Sequence, residues 1–242
     1  MILGVIPARY GSTRFPGKAL ARLGGKPMIQ RVWERAKAAK RLDRVLVATD
    51  DERIRDAVKR FGGDAVMTSR ELRSGTDRVW HAAKELRAQI VINIQGDEPL
   101  LTPPMIDGLV DGLRREPEAQ MATLRYRMRG PEGYEDPNVV KVVTDEKGWA
   151  LYFSRSPVPA FRSSRDLRSV VWYKHIGLYA YRRDLLKQFV TWPPSALETA
   201  ESLEQLRALE RGVRIKVLDS PQNTIGVDTP QDLKRVEAII GA

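Results

Sequence analysis

Short apolar runs alternate with segments of helical periodicity through the first half of this 242-residue chain. The periodic segments predict helices at residues 27–40 and 103–115, and the apolar runs predict strands at residues 2–6, 44–48, 65–67, 90–94 and 121–124. This alternation is typical of βαβ units, in which helices cover a sheet of parallel strands. We therefore predict an α/β fold with a three-layer, open, mostly parallel (Rossmann-like) sheet.

The pattern becomes strand-rich after about residue 130. Antiparallel strands are predicted at residues 139–144, 149–153 and 170–181, with turns at 146–148 and near 162–165. Helices are predicted at 183–190 and 197–211, then a strand at 214–218 and a final helix from Pro230. We interpret residues 1–242 as one domain in which residues of about 130–182 form an inserted antiparallel β subregion.

The loop after the first predicted strand, residues 7–18, combines glycines, hydroxyl side chains and cations. Glycines let backbone N–H groups approach phosphates, and the cations offset phosphate charge. The loop is not a Walker A motif, because five residues separate Gly11 from Gly17 and Ala19 follows Lys18. It predicts a nucleoside triphosphate site of another kind; a basic, solvated surface loop is the alternative.

Composition excludes several kinds of site. The chain has no cysteine, which excludes disulfides, Cys-ligated zinc and thiol catalysis. His81 and His175 are its two histidines, so a multi-histidine metal site is also excluded. No apolar run approaches the roughly 20 residues of a membrane span, and no segment resembles a signal peptide. We expect a cytoplasmic protein with no membrane partner.

The net charge of +10 would by itself suggest nucleic acid binding. The cations are instead spread along predicted helices such as residues 30–40 and 207–214, with no basic tail and no series of aromatic residues between them. We therefore expect no nucleic acid partner, and assign most of this charge to solvated surface.

Two aspartates are candidate metal ligands. Asp97 follows the predicted strand at 90–94, which places it at the carboxyl edge of the sheet near the 7–18 loop. Mg²⁺ prefers one or two carboxylates together with substrate phosphates, and Asp228 could be the second acid. The alternatives are a loop carboxylate satisfied by backbone donors for Asp97, and a helix cap before Thr229 and Pro230 for Asp228.

Segments along most of the chain, from residue 2 to about 236, resemble the sugar-activating cytidylyltransferases. The resemblance is closest to members that act on 3-deoxy-manno-octulosonate (Kdo), an acidic eight-carbon sugar. It is carried by residues 7–18, 93–99 (Asn-Ile-Gln-Gly-Asp-Glu-Pro), 150–157 (Ala-Leu-Tyr-Phe-Ser-Arg-Ser-Pro), 174–179, 201–207 and 226–230. Several motifs in the family's order are more specific than any single loop.

The resemblance implies a role for each matching residue. The catalytic residues would be Lys18, Arg9, Asp97 and Asp228, with Asp97 and Asp228 as the Mg²⁺ ligands. The nucleotide-binding residues would be Ala8, Arg9, Gly11, Ser12, Lys18, Arg73, Ser74 and Gln95. The sugar-binding residues would be Gln95, Arg155, His175, Tyr179, Glu204 and Gln205.

Several of these residues also have a purely structural interpretation. Ser74 or Thr76 could simply cap a helix. His175 could be a hydrogen-bonded structural residue of a strand, and Glu204 with Gln205 could form an ordinary helix flank. Their joint occurrence in the family's order favours the sugar site.

The function implied is transfer of CMP from CTP to Kdo with release of pyrophosphate, a step of lipopolysaccharide biosynthesis. A homodimer is also expected, because residues 170–173 are consecutively apolar and the family implies one. One alternative is a cytidylyltransferase for another acidic sugar, such as an 8-amino analogue of Kdo. A non-catalytic nucleotide- or RNA-binding protein is the alternative from another class.

Overall fold

The computed structural model describes residues 1–11, 14–162 and 167–241. The strands are β1 (Ile2–Ala8), β2 (Arg22–Leu23), β3 (Lys26–Pro27), β4 (Arg44–Thr49), β5 (Asp64–Met67), β6 (Ile90–Asn93), β7 (Met121–Arg129), β8 (Lys141–Thr144), β9 (Ala150–Ser154), β10 (Val171–Arg182) and β11 (Ile215–Asp219). The helices are α1 (Met28–Lys37), α2 (Glu52–Arg60), α3 (Gly75–Ala83), α4 (Pro103–Arg115), α5 (Arg183–Phe189), α6 (Ala196–Glu201), α7 (Gln205–Glu210) and α8 (Pro230–Gly241).

The main sheet has the strand order β11-β7-β10-β6-β1-β4-β5. Strand β1 runs parallel to β4 and β6, and the β4–β5 and β11–β7 pairs are also parallel. Strand β10 is antiparallel to both of its neighbours, β7 and β6. Its first half also pairs with β8, which pairs in turn with β9. The predicted α/β class and mostly parallel sheet with an antiparallel part are confirmed.

Helices cover both faces of this sheet. One core contains apolar residues of α1, α2 and α4, and the other contains residues of α3, α5 and α7. The helix predicted at 103–115 has the same bounds as α4, and its apolar stripe is buried: Met105, Ile106, Leu109, Val110 and Leu113. Within the described ranges, no helix is both long and apolar enough to cross a membrane.

One predicted helix was wrong. The segment 197–211 forms two helices, α6 and α7, because Ser202 adopts a left-handed conformation (φ 52°) that ends α6. Helices α2 and α3 were not among the predicted helices. For α2 the reason is that its apolar stripe is limited to Ile54, Ala57 and Val58. The turn predicted near 162–165 falls mostly outside the described residues.

Candidate active site

A cleft of about 360 Å³ opens at the carboxyl ends of β1 and β6. Because these strands are parallel neighbours, the loops that follow them emerge at the same edge of the sheet. The cleft is lined by Pro7, Ala8, Arg9, Gly11, Arg14, Lys18, Ala19, Met28, Gly75, Gln95, Gly96, Asp97 and Asp228. Most of the predicted nucleotide residues and both predicted metal ligands therefore meet here, while Ser12 lies outside the described residues.

Two glycines allow the cleft loops to approach each other. A Cβ atom on Gly96 would lie 2.9 Å from the carbonyl oxygen of Pro7, so the turn after β6 packs against the backbone at the end of β1. Gly17 has φ 71°, and its N–H donates to the carbonyl of Tyr10 at 2.9 Å, which closes the loop after β1. The loop is thus folded back on itself beside the turn that carries Asp97.

Lys18 is the centre of a charge cluster. Its ammonium donates to Asp97 Oδ2 at 2.6 Å, to Asp228 Oδ1 at 3.0 Å and to the Val227 carbonyl at 3.2 Å. Arg14 adds a second cation, 3.0 Å from Asp228 Oδ2. Burial by itself lowers the pKa of Lys18, but the charges and hydrogen bonds of both aspartates outweigh it and raise that pKa above its ordinary value.

Asp228 does not cap the helix that follows it. The start of α8 is capped by Thr229 and Asp232: the Thr229 N–H donates to Asp232 Oδ2 at 2.9 Å, and the Asp232 N–H donates to Thr229 Oγ1 at 3.2 Å. The Asp228 carboxylate is therefore left to face the cleft. The capping alternative for this residue was wrong.

The donor set at this cleft fits a hard divalent cation. Asp97 and Asp228 both aim a carboxylate oxygen at one point, which the Lys18 ammonium occupies in the structure. Oxygen ligands of this kind, completed by phosphates and water, suit Mg²⁺. The described residues contain no group of three or more His, Asp or Glu side chains that could hold a metal on their own. A metal here would be completed by ligands from a substrate and water.

The predicted base-recognition residues lie at the start of α3. Ser74 Oγ accepts from the Asp77 N–H at 3.1 Å, and Asp77 Oδ2 accepts from the Ser74 N–H at 3.0 Å. Ser74 thus caps α3, and its role toward the base remains a prediction. Arg9 donates to the Leu72 carbonyl at 3.0 Å, which ties this segment to the loop after β1.

A second cavity, of about 990 Å³, lies on the other side of the α3 start. Arg73 and Ser74 line it together with Glu204, a predicted sugar residue. Trp80 of α3 and Trp192, which follows α5, contribute aromatic surface. Gly75 lines the first cleft, so the two cavities adjoin at residues 74–75.

His175 and Tyr179 flank an irregularity in β10, where the pairing with β7 shifts register. Thr123 Oγ1 lies 2.9 Å from His175 Nε2 and 2.9 Å from the Leu178 carbonyl, so its hydroxyl fills the bulge. Burial lowers the pKa of His175 to about 3, with the Lys174 charge adding to the effect. The imidazole is therefore neutral, and its ring lies 5.5 Å from that of Tyr179.

Glu204 is connected to the first cleft by a chain of polar groups. Thr76 Oγ1 donates to Glu204 Oε2, and Asn93 Nδ2 donates to Thr76 Oγ1 at 3.4 Å. Gln95 Nε2 in turn lies 3.5 Å from Asn93 Oδ1. Burial raises the pKa of Glu204, although the Thr76 hydrogen bond opposes it. Next along the chain, Gln205 Nε2 is buried with no hydrogen-bond partner among the described residues.

Arg155 stands apart from both cavities. Its guanidinium donates to the carbonyls of Glu201 at 2.7 Å, Pro137 at 2.9 Å and Ser202 at 3.3 Å. Its backbone N–H donates to the Glu201 carboxylate at 2.8 Å. Arg155 thus holds the end of α6, just before Glu204, and its role toward the sugar carboxylate remains a prediction.

Sequence reasoning assigned no binding or catalytic role to three residues that support the site, and considered Thr76 only as a helix cap. Thr123 and Thr76 are buried hydroxyls that hold His175 and Glu204. Glu98 follows Asp97, and burial raises its pKa to about 7, with the Asp97 charge contributing. A polar residue inside the apolar segment Met-Ala-Thr-Leu was the available signal for Thr123. Glu98 belongs to the motif at residues 93–99, in which the metal-binding role was assigned to the neighbouring Asp97.

Comparison with known proteins shows the family of this chain. The family model described as cytidylyltransferase matches residues 3–215. The 3-deoxy-manno-octulosonate cytidylyltransferase of Geobacter sulfurreducens is 53% identical, over 97% of this chain and 97% of that protein. The solved structure of CMP:2-keto-3-deoxy-manno-octonic acid synthetase complexed with CTP is 45% identical, with a TM-score of 0.93 over 99% of this chain and 98% of that one.

A more distant solved structure shares the fold. The cytidylyltransferase of Leptospira borgpetersenii is 17% identical, with a TM-score of 0.67 over 99% of this chain and 86% of that one. The near relatives match almost end to end, and the matched residues include the cleft loops after β1 and β6. The chain therefore belongs to the cytidylyltransferase family, among the 3-deoxy-manno-octulosonate cytidylyltransferases.

Proposed function

We propose that this protein transfers CMP from CTP to Kdo, giving CMP-Kdo and pyrophosphate for lipopolysaccharide biosynthesis. The observation that carries the proposal is the contact of one ammonium, that of Lys18, with both Asp97 and Asp228 at the edge of the cleft. Opposed cations and carboxylates beside a glycine-containing loop suit a triphosphate and its counterion. The names of the near relatives supply the two substrates.

In this reaction the anomeric oxygen of the sugar forms a bond to the α-phosphorus of CTP. The bond from that phosphorus to the departing pyrophosphate breaks, and the hydroxyl proton passes to water. Lys18 and Arg9 supply positive charge for the triphosphate and for the leaving group. Asp97 and Asp228 would hold Mg²⁺, which when bound offsets phosphate charge and acidifies the attacking hydroxyl.

The sugar is proposed to lie against β10 and α7. His175 is neutral, so its imidazole can exchange hydrogen bonds with hydroxyl groups without adding charge. Gln205 has an unused buried amide donor among the described residues, and Glu204 lies one residue away. Gln95 connects this region with the first cleft. Together these groups suit a polyhydroxylated ring.

A homodimer is part of the proposal. Val170 and Trp172 are covered within the chain by Tyr134 and its neighbours, so they do not require a partner. The support instead comes from Leu151, which is 60% exposed on β9, and from the family. Light scattering at micromolar concentration tests it, and a monomer would contradict it. We also propose a cytoplasmic location, where CTP is available.

The central experiment measures pyrophosphate release over a matrix of four nucleoside triphosphates and several acidic sugars, including the 8-amino analogue of Kdo. The proposal expects the highest kcat/KM for CTP with Kdo. A higher value for the amino analogue would move the assignment to that sugar. Nucleotide binding without turnover on any sugar would contradict the enzyme assignment for this chain.

A further inference from the structure

The segment between β11 and α8, residues 220–229, carries Asp228 but forms no regular structure of its own. Its position therefore depends on contacts made by other elements. The Val227 N–H donates to the Asp97 carbonyl at 2.8 Å. The Gln222 amide donates to the Leu100 carbonyl at 2.9 Å. These two bonds attach the segment to the turn after β6, where the other aspartate lies.

Lys174 contacts the same segment from the sheet. Its ammonium donates to the Thr224 carbonyl at 2.7 Å and to Asn223 Oδ1 at 3.1 Å. Thr224 is 1% exposed, so the contact with its carbonyl is shielded from water, whereas the contact with Asn223 is exposed. Hydrogen bonds from a charged donor are stronger than neutral ones, and shielding increases their effect.

Glu98 also lies against this segment. It accepts a hydrogen bond from Thr224. A Cβ atom on Gly226 would lie 3.1 Å from Glu98 Oε1, so the segment passes close over this carboxyl group. The Lys174 ammonium and the Glu98 carboxyl group thus both lie against residues 223–226, which end two positions before Asp228.

We propose that Lys174 is a positioning residue that holds residues 223–228 so that Asp228 lies beside Asp97. This inference deepens the proposed function and rests on it for the link to catalysis. Lys174 precedes His175 on β10, and successive strand residues point to opposite faces. One strand therefore supports Asp228 with Lys174 and presents His175 on its other face.

The first test needs no substrate. Hydrogen–deuterium exchange is compared between wild type, Lys174→Met, Lys174→Arg and a control, Lys216→Met. Lys216, on β11, suits as the control because its ammonium makes the same kinds of contact. It donates to the Lys147 carbonyl and to the Glu116 carboxylate. Lys174→Met should raise exchange across residues 221–229 by about tenfold or more, the scale of one lost charged hydrogen bond. Lys174→Arg should restore much of the protection.

The second test measures pyrophosphate release against Mg²⁺ concentration. Lys174→Met should raise the Mg²⁺ concentration needed for the half-maximal rate by about tenfold, again the scale of one charged hydrogen bond. Its KM for Kdo should stay near the wild-type value. Both quantities should stay near the wild-type values in the Lys216→Met control. Unchanged exchange in the segment would overturn the proposal. Raised exchange with an unchanged Mg²⁺ requirement would also overturn it. A wild-type protein without turnover would contradict the proposed function, and the exchange comparison would still decide whether Lys174 holds the segment.

Discussion

The ammonium of Lys18 lies 2.6 Å from a carboxylate oxygen of Asp97, although 79 positions separate the two residues in sequence. Lys18 ends the loop after β1, and Asp97 lies in the turn after β6. The parallel pairing of these two strands brings the loops together. The contact therefore follows from the sheet topology, and the chemistry of the cleft depends on both loops.

Removing either acidic charge should disable turnover. We expect Asp97→Asn and Asp228→Asn each to lower kcat by at least about a hundredfold, and the double variant to be far from additive because both residues serve one ion. The measurement is the rate of pyrophosphate release against Mg²⁺ concentration. Asp219→Asn is the matched control, since Asp219 forms an exposed pair with Arg125 outside the cleft. A near-wild-type rate for either single variant would remove that residue from the metal site.

The spacing of the two cleft loops should be sensitive to one methyl group. Gly96→Ala would place a Cβ atom 2.9 Å from the Pro7 carbonyl, so one loop must move. We expect kcat to fall by about a hundredfold, as a misplacement of about 1 Å can cause, with the circular dichroism spectrum retained. Gly108→Ala is the control, since no atom lies within 4 Å of its added methyl. Equal activity of both variants would contradict the prediction.

The buried His175 should make the protein less stable in acid. Its pKa is about 3 in the folded state, against an ordinary value of 6.5. Below pH 6.5 the unfolded state binds a proton that the folded state does not, so the free energy of unfolding falls by up to about 1.4 kcal/mol per pH unit. His175→Asn should reduce that slope between pH 6.5 and 4, measured by urea denaturation. If the free energy of unfolding changed equally with pH in wild type and in His175→Asn, the prediction of a lowered pKa for His175 would be contradicted.

Arg155→Ala should weaken sugar binding selectively. The variant frees the end of α6, which precedes Glu204 and Gln205, and removes the cation predicted for the sugar carboxylate. We expect the KM for Kdo to rise by about tenfold or more, the scale of one charged hydrogen bond, with the KM for CTP unchanged. Arg44→Ala, which breaks an exposed pair with Asp64, serves as the control. An unchanged KM for Kdo in a folded variant would show that Arg155 neither binds the sugar carboxylate nor positions Glu204 and Gln205 for sugar binding.

Nucleotide selectivity should favour CTP. The prediction rests on residues 72–78, where Arg73 and Ser74 match the family's base-recognition segment. Steady-state kcat/KM for CTP should exceed that for ATP and GTP by at least about a hundredfold, because a base that leaves buried polar groups unpaired is strongly rejected. Comparable values for ATP or GTP would contradict this assignment of residues 72–78.

Local signals in the sequence were sufficient for much of the sheet and for α4. The apolar stripe of α4 follows a Pro-Pro start, and both its ends were predicted correctly. The division between α6 and α7 was not predictable in this way, because serine rarely adopts a positive φ and residues 197–211 keep a helical pattern. The place of β10 between β7 and β6 depends on pairing over long sequence distances, which no local pattern encodes.

The candidate site was predictable where residues share one edge of the sheet. Asp97 could be placed beside the 7–18 loop because strand ends and sheet topology decide its position. The contacts of Arg155 with three carbonyls could not be foreseen, since they depend on how α6 ends. Lys174 and Glu98 were likewise overlooked, because what they hold is an irregular segment distant in sequence.

The close approach of Gly96 to Pro7 also affects how the specificity for base and sugar can change in a protein with this fold. The contact joins main chain to main chain because residue 96 is glycine, so the distance between the two cleft loops does not depend on the other side chains that they carry. Residues predicted to choose the base lie at the start of α3, and residues predicted to choose the sugar lie on β10 and α7. Either choice can therefore be altered by substitution while the reacting ends of the two substrates keep their separation.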